Sequence, residues 1–216
     1  MKPLWQTPAF QEIAGKTLRP GGLSTTREAL SWLLSHNLLP TGLAVDGGTG
    51  YGESLGLLQS LGFLCLGLDT NTASLPHLLA KNCYAAQADI SHLPLAKQST
   101  AIILLECVLS LLADPKTALA EAHRILSPAG IALVSDLTVE GTPSCSTSSC
   151  LAGARSRAEW EALFTANHFR LLAFFDHTKA LISLAARLVW YTNTRILDTC
   201  HTHYGYAVWL LQKENA

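Results

Sequence analysis

Charge is scarce in this 216-residue sequence: Asp, Glu, Lys and Arg together make up 14%, and 15 basic against 16 acidic residues leave a net charge of −1. A general basic surface that would hold a polyanion is therefore excluded, and nucleic acid is not expected as a partner. Long apolar runs are missing too. No stretch reaches the ~18 uninterrupted apolar residues that a membrane span needs, because the two greasiest runs are interrupted by Glu106 and Arg187. The opening residues, with Pro3, Trp5, Gln6 and Thr7 after Met1 and Lys2, lack the apolar core of a secretory leader, so a cytoplasmic location is expected. The six cysteines, Cys65, Cys83, Cys107, Cys145, Cys150 and Cys200, include no C-x-x-C pair. That speaks against a disulfide scaffold and a standard zinc site, and no metal is expected. The chain is nonetheless 49% hydrophobic, too apolar for a disordered polymer and long enough for one large domain or one domain with a small appendage.

Residues 1–23, punctuated at their end by Pro20-Gly21-Gly22, read as an N-terminal arm laid over a domain of residues 24–216. Thr25 with Glu28 has the form of a capping box, and Ala29, Leu30, Leu33 and Leu34 follow at helical spacing, which predicts a helix to about His36. From Leu43 onward short apolar runs alternate with helical segments, the pattern of a parallel sheet covered on both faces. Strands are predicted at 43–45, 63–68, 85–88, 101–105, 131–137, 171–175 and 204–211. Helices are predicted at 53–61, from Asp114-Pro115 to about Leu126, from the Ser156/Glu159 capping box onward, and at 178–192. Residues 138–155 are rich in Ser, Thr, Cys and Gly, too long for an ordinary turn and too polar for a core. They are expected to be a lid or a disordered loop, with the amphipathic segment 178–192 suited to the same covering role, so the lid is placed within 138–200.

The sharpest signal is Leu43-Ala44-Val45-Asp46-Gly47-Gly48-Thr49-Gly50-Tyr51-Gly52, a buried strand running into a turn with glycines at alternate positions. Asp69 stands at the end of the second strand, placed to accept hydrogen bonds from a pair of ribose hydroxyls. Together they imply an adenosine-type ligand. A dinucleotide fingerprint starting at Gly48 would need glycine where Glu53 stands, and a carboxylate there would repel a pyrophosphate. A P-loop is excluded because no Gly-Lys-Ser/Thr follows the glycines.

The spacing D-x-G-x-G-x-G carried by Asp46, Gly48, Gly50 and Gly52 resembles the first motif of the class I S-adenosylmethionine (SAM)-dependent methyltransferases. The resemblance covers roughly residues 40–137 and is closest to the type 11 methyltransferases. It extends to Asp89-Ile90-Ser91-His92-Leu93-Pro94, to the segment from Glu106 to Leu112, and to Leu126-Ser127-Pro128-Ala129-Gly130, where alanine replaces one glycine of the family's turn. Arg19-Pro20-Gly21-Gly22-Leu23 and the Ser149-Cys150-Leu151 region suggest a subgroup of it. The resemblance implies an α/β fold with a doubly wound, seven-stranded, mostly parallel Rossmann-like sheet whose last strand is antiparallel. It also implies SAM as cofactor and methyl transfer to a small-molecule acceptor. The glycine turn would lie against the methionine and ribose parts, Asp69 would hold the ribose, and Asp89 with Ile90 the adenine. The candidate cofactor-binding set is Asp46, Gly48, Thr49, Gly50, Asp69, Thr70, Asp89, Ile90, Glu106 and Cys107. Because SAM carries a sulfonium and an ammonium rather than phosphates, glycine N–H groups need only approach its methionine end, and nearby acids are tolerated.

Other features weigh against plainer readings. Cys107, Cys145 and Cys150 could serve thiol or metalloid methylation if their thiols were accessible and of low pKa; otherwise they are small packing residues. His201 and His203 on an extended segment would share a face, but two ligands do not make a metal site. His177 and Asp136 follow predicted strands and are candidates for accepting a proton. Trp160, Phe174, Phe175, Trp190 and Tyr191 could line an acceptor pocket or simply build the core. The alternative from another functional class is a non-catalytic SAM-binding subunit or sensor; a nicotinamide oxidoreductase is disfavoured by Glu53. No residue is singled out as catalytic, and the oligomeric state is left open.

Overall fold

A computed structural model describes residues 6–141, 150–192 and 203–214 of the chain. In chain order it runs α1 (Pro8–Ala14), α2 (Leu23–Ser35), β1 (Leu43–Gly47), α3 (Glu53–Ser60), β2 (Leu64–Asp69), α4 (Leu75–Leu79), β3 (Tyr84–Gln87), β4 (Thr100–Glu106), α5 (Pro115–Ile125), β5 (Leu126–Glu140), α6 (Arg157–Ala166), β6 (Phe169–Asp176), α7 (Thr178–Thr192) and β7 (His203–Lys213). The seven strands form one sheet in the order β3-β2-β1-β4-β5-β7-β6. Strands β1 to β5 pair in parallel, and β7 is inserted antiparallel to both β5 and β6. The expected doubly wound, mostly parallel sheet with an antiparallel last strand is the observed one. No helix among the described residues is long and apolar enough to cross a membrane.

Period-2 alternation divides the core into two layers, because successive side chains of a strand point to opposite faces. Ala44, Ile102, Leu104, Ile131, Leu133, Val208 and Leu210 pack with Ala29, Leu30, Leu33, Leu55 and Leu58 of α2 and α3. Their sequence neighbours Val45, Ile103, Leu105, Ala132, Val134 and Trp209 pack with Leu119, Ala122, Ile125, Trp160 and Phe164 of α5 and α6. Every residue of β4 is buried, as expected for a strand covered on both faces. Trp160 and Trp209 belong to this core, whereas Trp190 and Tyr191 are exposed, so the aromatic set of the sequence does not gather in one pocket. The helix starts follow local chemistry: Asp114 caps α5 ahead of Pro115, and Ser156 with Glu159 closes the predicted capping box of α6.

Two expectations are corrected. The Thr25/Glu28 capping box is absent, because α2 begins two residues before Thr25, with Gly22 (φ 57°) at its N-cap. Thr25 is buried in the first turn, and its hydroxyl donates to the Gly22 carbonyl. Residues 138–140, read as the start of a loop, instead continue β5, paired with Gly205, Tyr204 and His203; antiparallel pairing with β7 satisfies a backbone that sequence polarity had placed outside the sheet. Cys145, Cys200 and His201 lie outside the described residues.

Candidate functional site

The strand order reverses direction between β1 and β4, and ligands of open α/β sheets bind outside the strand carboxyl ends at such a point. A cavity of about 640 Å³ lies there. Four elements deliver their last residues to its floor. Moving across the sheet, Asp89 stands two residues after β3, Asp69 ends β2, the glycine loop follows β1, and Glu106 ends β4. Asp46, Gly48, Thr49, Gly50, Asp69, Thr70, Asp89, Ile90, Glu106 and Cys107, the whole set expected from sequence, all line this cavity.

Their individual roles differ from the sequence picture in two ways. First, the amides of the glycine loop are already engaged. Gly48 and Thr49 both donate to the Leu68 carbonyl (2.8 and 3.1 Å), and Gly52 donates to Thr49. Gly50 donates to the Asp69 carboxylate at 2.8 Å. The loop therefore offers shape rather than free N–H donors from these positions. A Cβ at Gly50 would meet no protein atom nearer than Leu18 Cδ1 at 4.0 Å, so the missing side chain leaves open space inside the cavity, while Gly48 (φ 77°) is pressed against Val108. Second, both Glu106 oxygens serve the protein. Oε1 accepts from the Thr26 hydroxyl at 2.7 Å; Oε2 accepts from the Ser54 hydroxyl at 2.5 Å and lies 3.0 Å from Arg19 Nη2.

The acids sit in contrasting surroundings. Asp46 is 4% exposed and accepts from the Thr49 hydroxyl at 2.9 Å. Burial, reinforced by the neighbouring Glu106, pushes its carboxyl up to about 7. Asp69 is half-buried, and its second oxygen accepts from the Asn71 amide at 2.9 Å. Asp89 is exposed, accepting from the Ser91 amide, while Ile90 is buried. At the other end of the cavity Asp136 is fully buried and raised by that burial, although the Ser110 and Leu137 amides donate to it.

Around Asp136 the lining turns apolar, with Leu111, Leu112, Leu137, Leu151, Leu181 and Leu188. Two segments close the cavity. Phe10 and Ile13 of α1 pack on Leu184 and Leu188 of α7, so the N-terminal arm and α7 form a roof. Cys107 and Cys150 both line the cavity. Burial drives the Cys107 thiol well up and that of Cys150 to about 12, the reverse of what a thiolate nucleophile or soft-metal ligand requires. Cys107 also adopts the left-handed conformation (φ 56°), with its thiol donating to Tyr206 Oη at 3.6 Å. His177 is not part of the lining: its Nε2 is enclosed 3.8 Å from the Glu28 carboxylate.

Sequence reasoning did not assign Arg19, Thr26 or Ser54 to the site, yet the three converge on Glu106. An arginine in a Pro/Gly-punctuated segment was the one available hint.

Residues 45–134 match the family model for a methyltransferase domain. No curated protein matches the chain. Among solved structures, phosphoethanolamine N-methyltransferase 2 of Haemonchus contortus in complex with SAM aligns with a TM-score of 0.77 at 15% identity, over 96% of this chain and 56% of that one. The [4+2]-cyclase SpnF aligns with a TM-score of 0.76 at 14% identity, over 98% of this chain and 93% of its own. Geranyl diphosphate methyltransferase, in complex with GPP and sinefungin, gives 0.66 at 16%, over 87% and 78%. At these identities the structures are evidence of shared fold alone. Residues 45–134 thus match a methyltransferase domain, and the solved structures show that the chain has the fold of these proteins.

Proposed function

We propose that this domain methylates a small, predominantly apolar molecule held under the α1–α7 roof. The observation that carries the reading is the polarity gradient of one continuous cavity. Acids and the glycine loop line one end, while leucines line the other around the single buried carboxylate of Asp136. The acidic end suits a ligand bearing a sulfonium and an ammonium. Asp69 is the acceptor for the ribose hydroxyls, Asp89 meets the adenine amino group and Ile90 packs beside the ring. The only cavity-lining Lys and Arg among the described residues, Lys16 and Arg19, belong to the arm, and Arg19 is paired with Glu106 at the acidic end, which disfavours a phosphorylated acceptor at the apolar end. Thiol and metalloid acceptors held by Cys107 or Cys150 are disfavoured by the protonated state of both groups.

The bound cofactor supplies an electrophilic methyl group on a sulfonium sulfur. The protein's part is to hold an acceptor atom in line with that group at roughly 3 to 3.5 Å and to exclude water; such positioning alone supplies about 7 to 11 kcal/mol. The leucine-lined roof provides the dry compartment. Asp136, with its oxygens accepting from Ser110 and Leu137, fixes the backbone after β4 against β5 and so holds Leu111 and Leu112 against the acceptor space.

The cyclase neighbour shares the fold under a different activity name, so the second reading, a SAM-binding protein that transfers no methyl group, is kept as the competitor. Incubating the protein with methyl-labelled SAM and a small-molecule extract decides between them. Label moving into a low-mass, solvent-extractable product supports the proposal. Label moving into protein or nucleic acid overturns the acceptor class, and tight SAM binding without any transfer favours the competitor.

A further inference from the structure

Arg19 lies between α1 and α2 and is 7% exposed. A guanidinium stays charged even when it is removed from water, so each of its donors needs an acceptor. Here one nitrogen makes all of the side chain's hydrogen bonds to described residues. Nη2 donates to the Thr26 hydroxyl at 2.7 Å and the Ser54 hydroxyl at 2.9 Å, and lies 3.0 Å from Glu106. Nε is enclosed and has no partner among the described residues, and the side chain lines the cavity. The arginine is held in place from behind while part of its donor fork is left without an acceptor.

The neighbourhood specifies what would complete it. Except for Arg19 and the exposed Lys16, the charged groups at this end of the cavity are acids, so a cationic ligand group finds partners elsewhere and only an anionic one suits Arg19. A planar fork matches a carboxylate with two parallel hydrogen bonds. Of the glycine-loop amides, those of Gly48, Thr49, Gly50 and Gly52 already donate to Leu68, Asp69 and Thr49. Position agrees with charge: Asp89, Asp69, the glycine loop and Glu106 succeed one another across the sheet, so a nucleoside anchored at the first two directs its far end toward Arg19. The methionine carboxylate is the one anionic group of SAM.

Resting on the SAM reading, we propose that Arg19 binds the methionine carboxylate of the cofactor, and that through it cofactor occupancy fastens the N-terminal arm over the site. The same arm carries Phe10 and Ile13 into the roof against α7, so an arginine engaged by ligand on one side and by Glu106 on the other ties the roof to the sheet.

The test compares two ligands by calorimetry: S-adenosylhomocysteine, which has the carboxylate, and 5′-methylthioadenosine, which has the same nucleoside thioether without it. Arg19→Gln is expected to weaken S-adenosylhomocysteine on the order of 10- to 100-fold, the range for losing hydrogen bonds to a charged group, and to leave methylthioadenosine within about twofold. Because Arg19→Gln alone strands the buried Glu106, the double variant Arg19→Gln, Glu106→Gln, which removes both charges, is measured alongside and should show the same selectivity. Equal loss of both ligands in the double variant, or no loss of either, overturns the inference. So does selectivity that follows Lys16→Ala instead. Wild-type protein that binds neither ligand overturns the cofactor reading itself.

Discussion

The Gly50 amide donates to the Asp69 carboxylate at 2.8 Å, so the acid at the end of β2 and the loop after β1 form one rigid piece. The residue proposed to receive the ribose therefore also shapes the cradle beside it. Asp69→Asn retains an oxygen to accept from Gly50 but loses the charge, and S-adenosylhomocysteine affinity is expected to fall roughly 10- to 100-fold. Asp69→Ala, which also frees the loop, should bind more weakly still and melt at a lower temperature. Wild-type affinity in Asp69→Asn would remove Asp69 from the ribose site.

A Cβ at Gly153 would lie 1.9 Å from the Ser110 carbonyl oxygen and 2.7 Å from its carbon. Both are backbone atoms with no rotamer to escape into. Gly153→Ala should push residues 150–155 away from the chain after β4 and withdraw Cys150 and Leu151 from the cavity, at a cost of about 1–3 kcal/mol, typical of overpacking. An unchanged urea midpoint would show that the approach is not enforced.

Gly48 combines φ 77° with a hypothetical Cβ only 2.2 Å from Val108 Cγ1. Gly48→Ala is expected to be strongly destabilising, and Val108→Ala should recover part of that loss by removing the clash while the backbone strain of about 1–3 kcal/mol remains. Simple additivity of the two substitutions in a double-mutant cycle would contradict the contact.

Asp46 titrates higher in the folded chain, at about 7, than its ordinary 3.8. Between those values the folded state holds the proton and the unfolded state does not, so this group's contribution to stability falls as pH rises from about 4 to about 7. Asp46→Asn has no such proton to lose. Its stability relative to wild type should climb through that window, by an amount on the order of a few kcal/mol at about 1.4 kcal/mol per pKa unit, and level off above it. Urea titrations at pH 5 and pH 8 giving the same difference between the two proteins would rule out a raised Asp46.

The strands and most helix starts were legible because their signals are local. Asp114 ahead of Pro115 and the Ser156/Glu159 pair satisfy helix amides within one turn, whatever surrounds them. Thr25/Glu28 had the same form and failed, since the Gly21-Gly22 bend starts α2 earlier and buries Thr25. The 138–140 segment was misread for a related reason: its polarity is local, but its pairing with residues 203–205 is supplied from the far end of the chain.

The sequence by itself determined the alternating glycines after a buried strand and the acids at successive strand ends, and with them the cavity's floor, because a parallel sheet aligns its carboxyl ends whatever else is built around it. Only the tertiary structure decided what those groups are free to do. Packing brought Arg19 against Glu106, occupied the loop amides, raised Asp46 and pushed the cavity thiols further from ionising. Those outcomes depend on burial and on neighbours distant along the chain, quantities that no spacing of residues encodes.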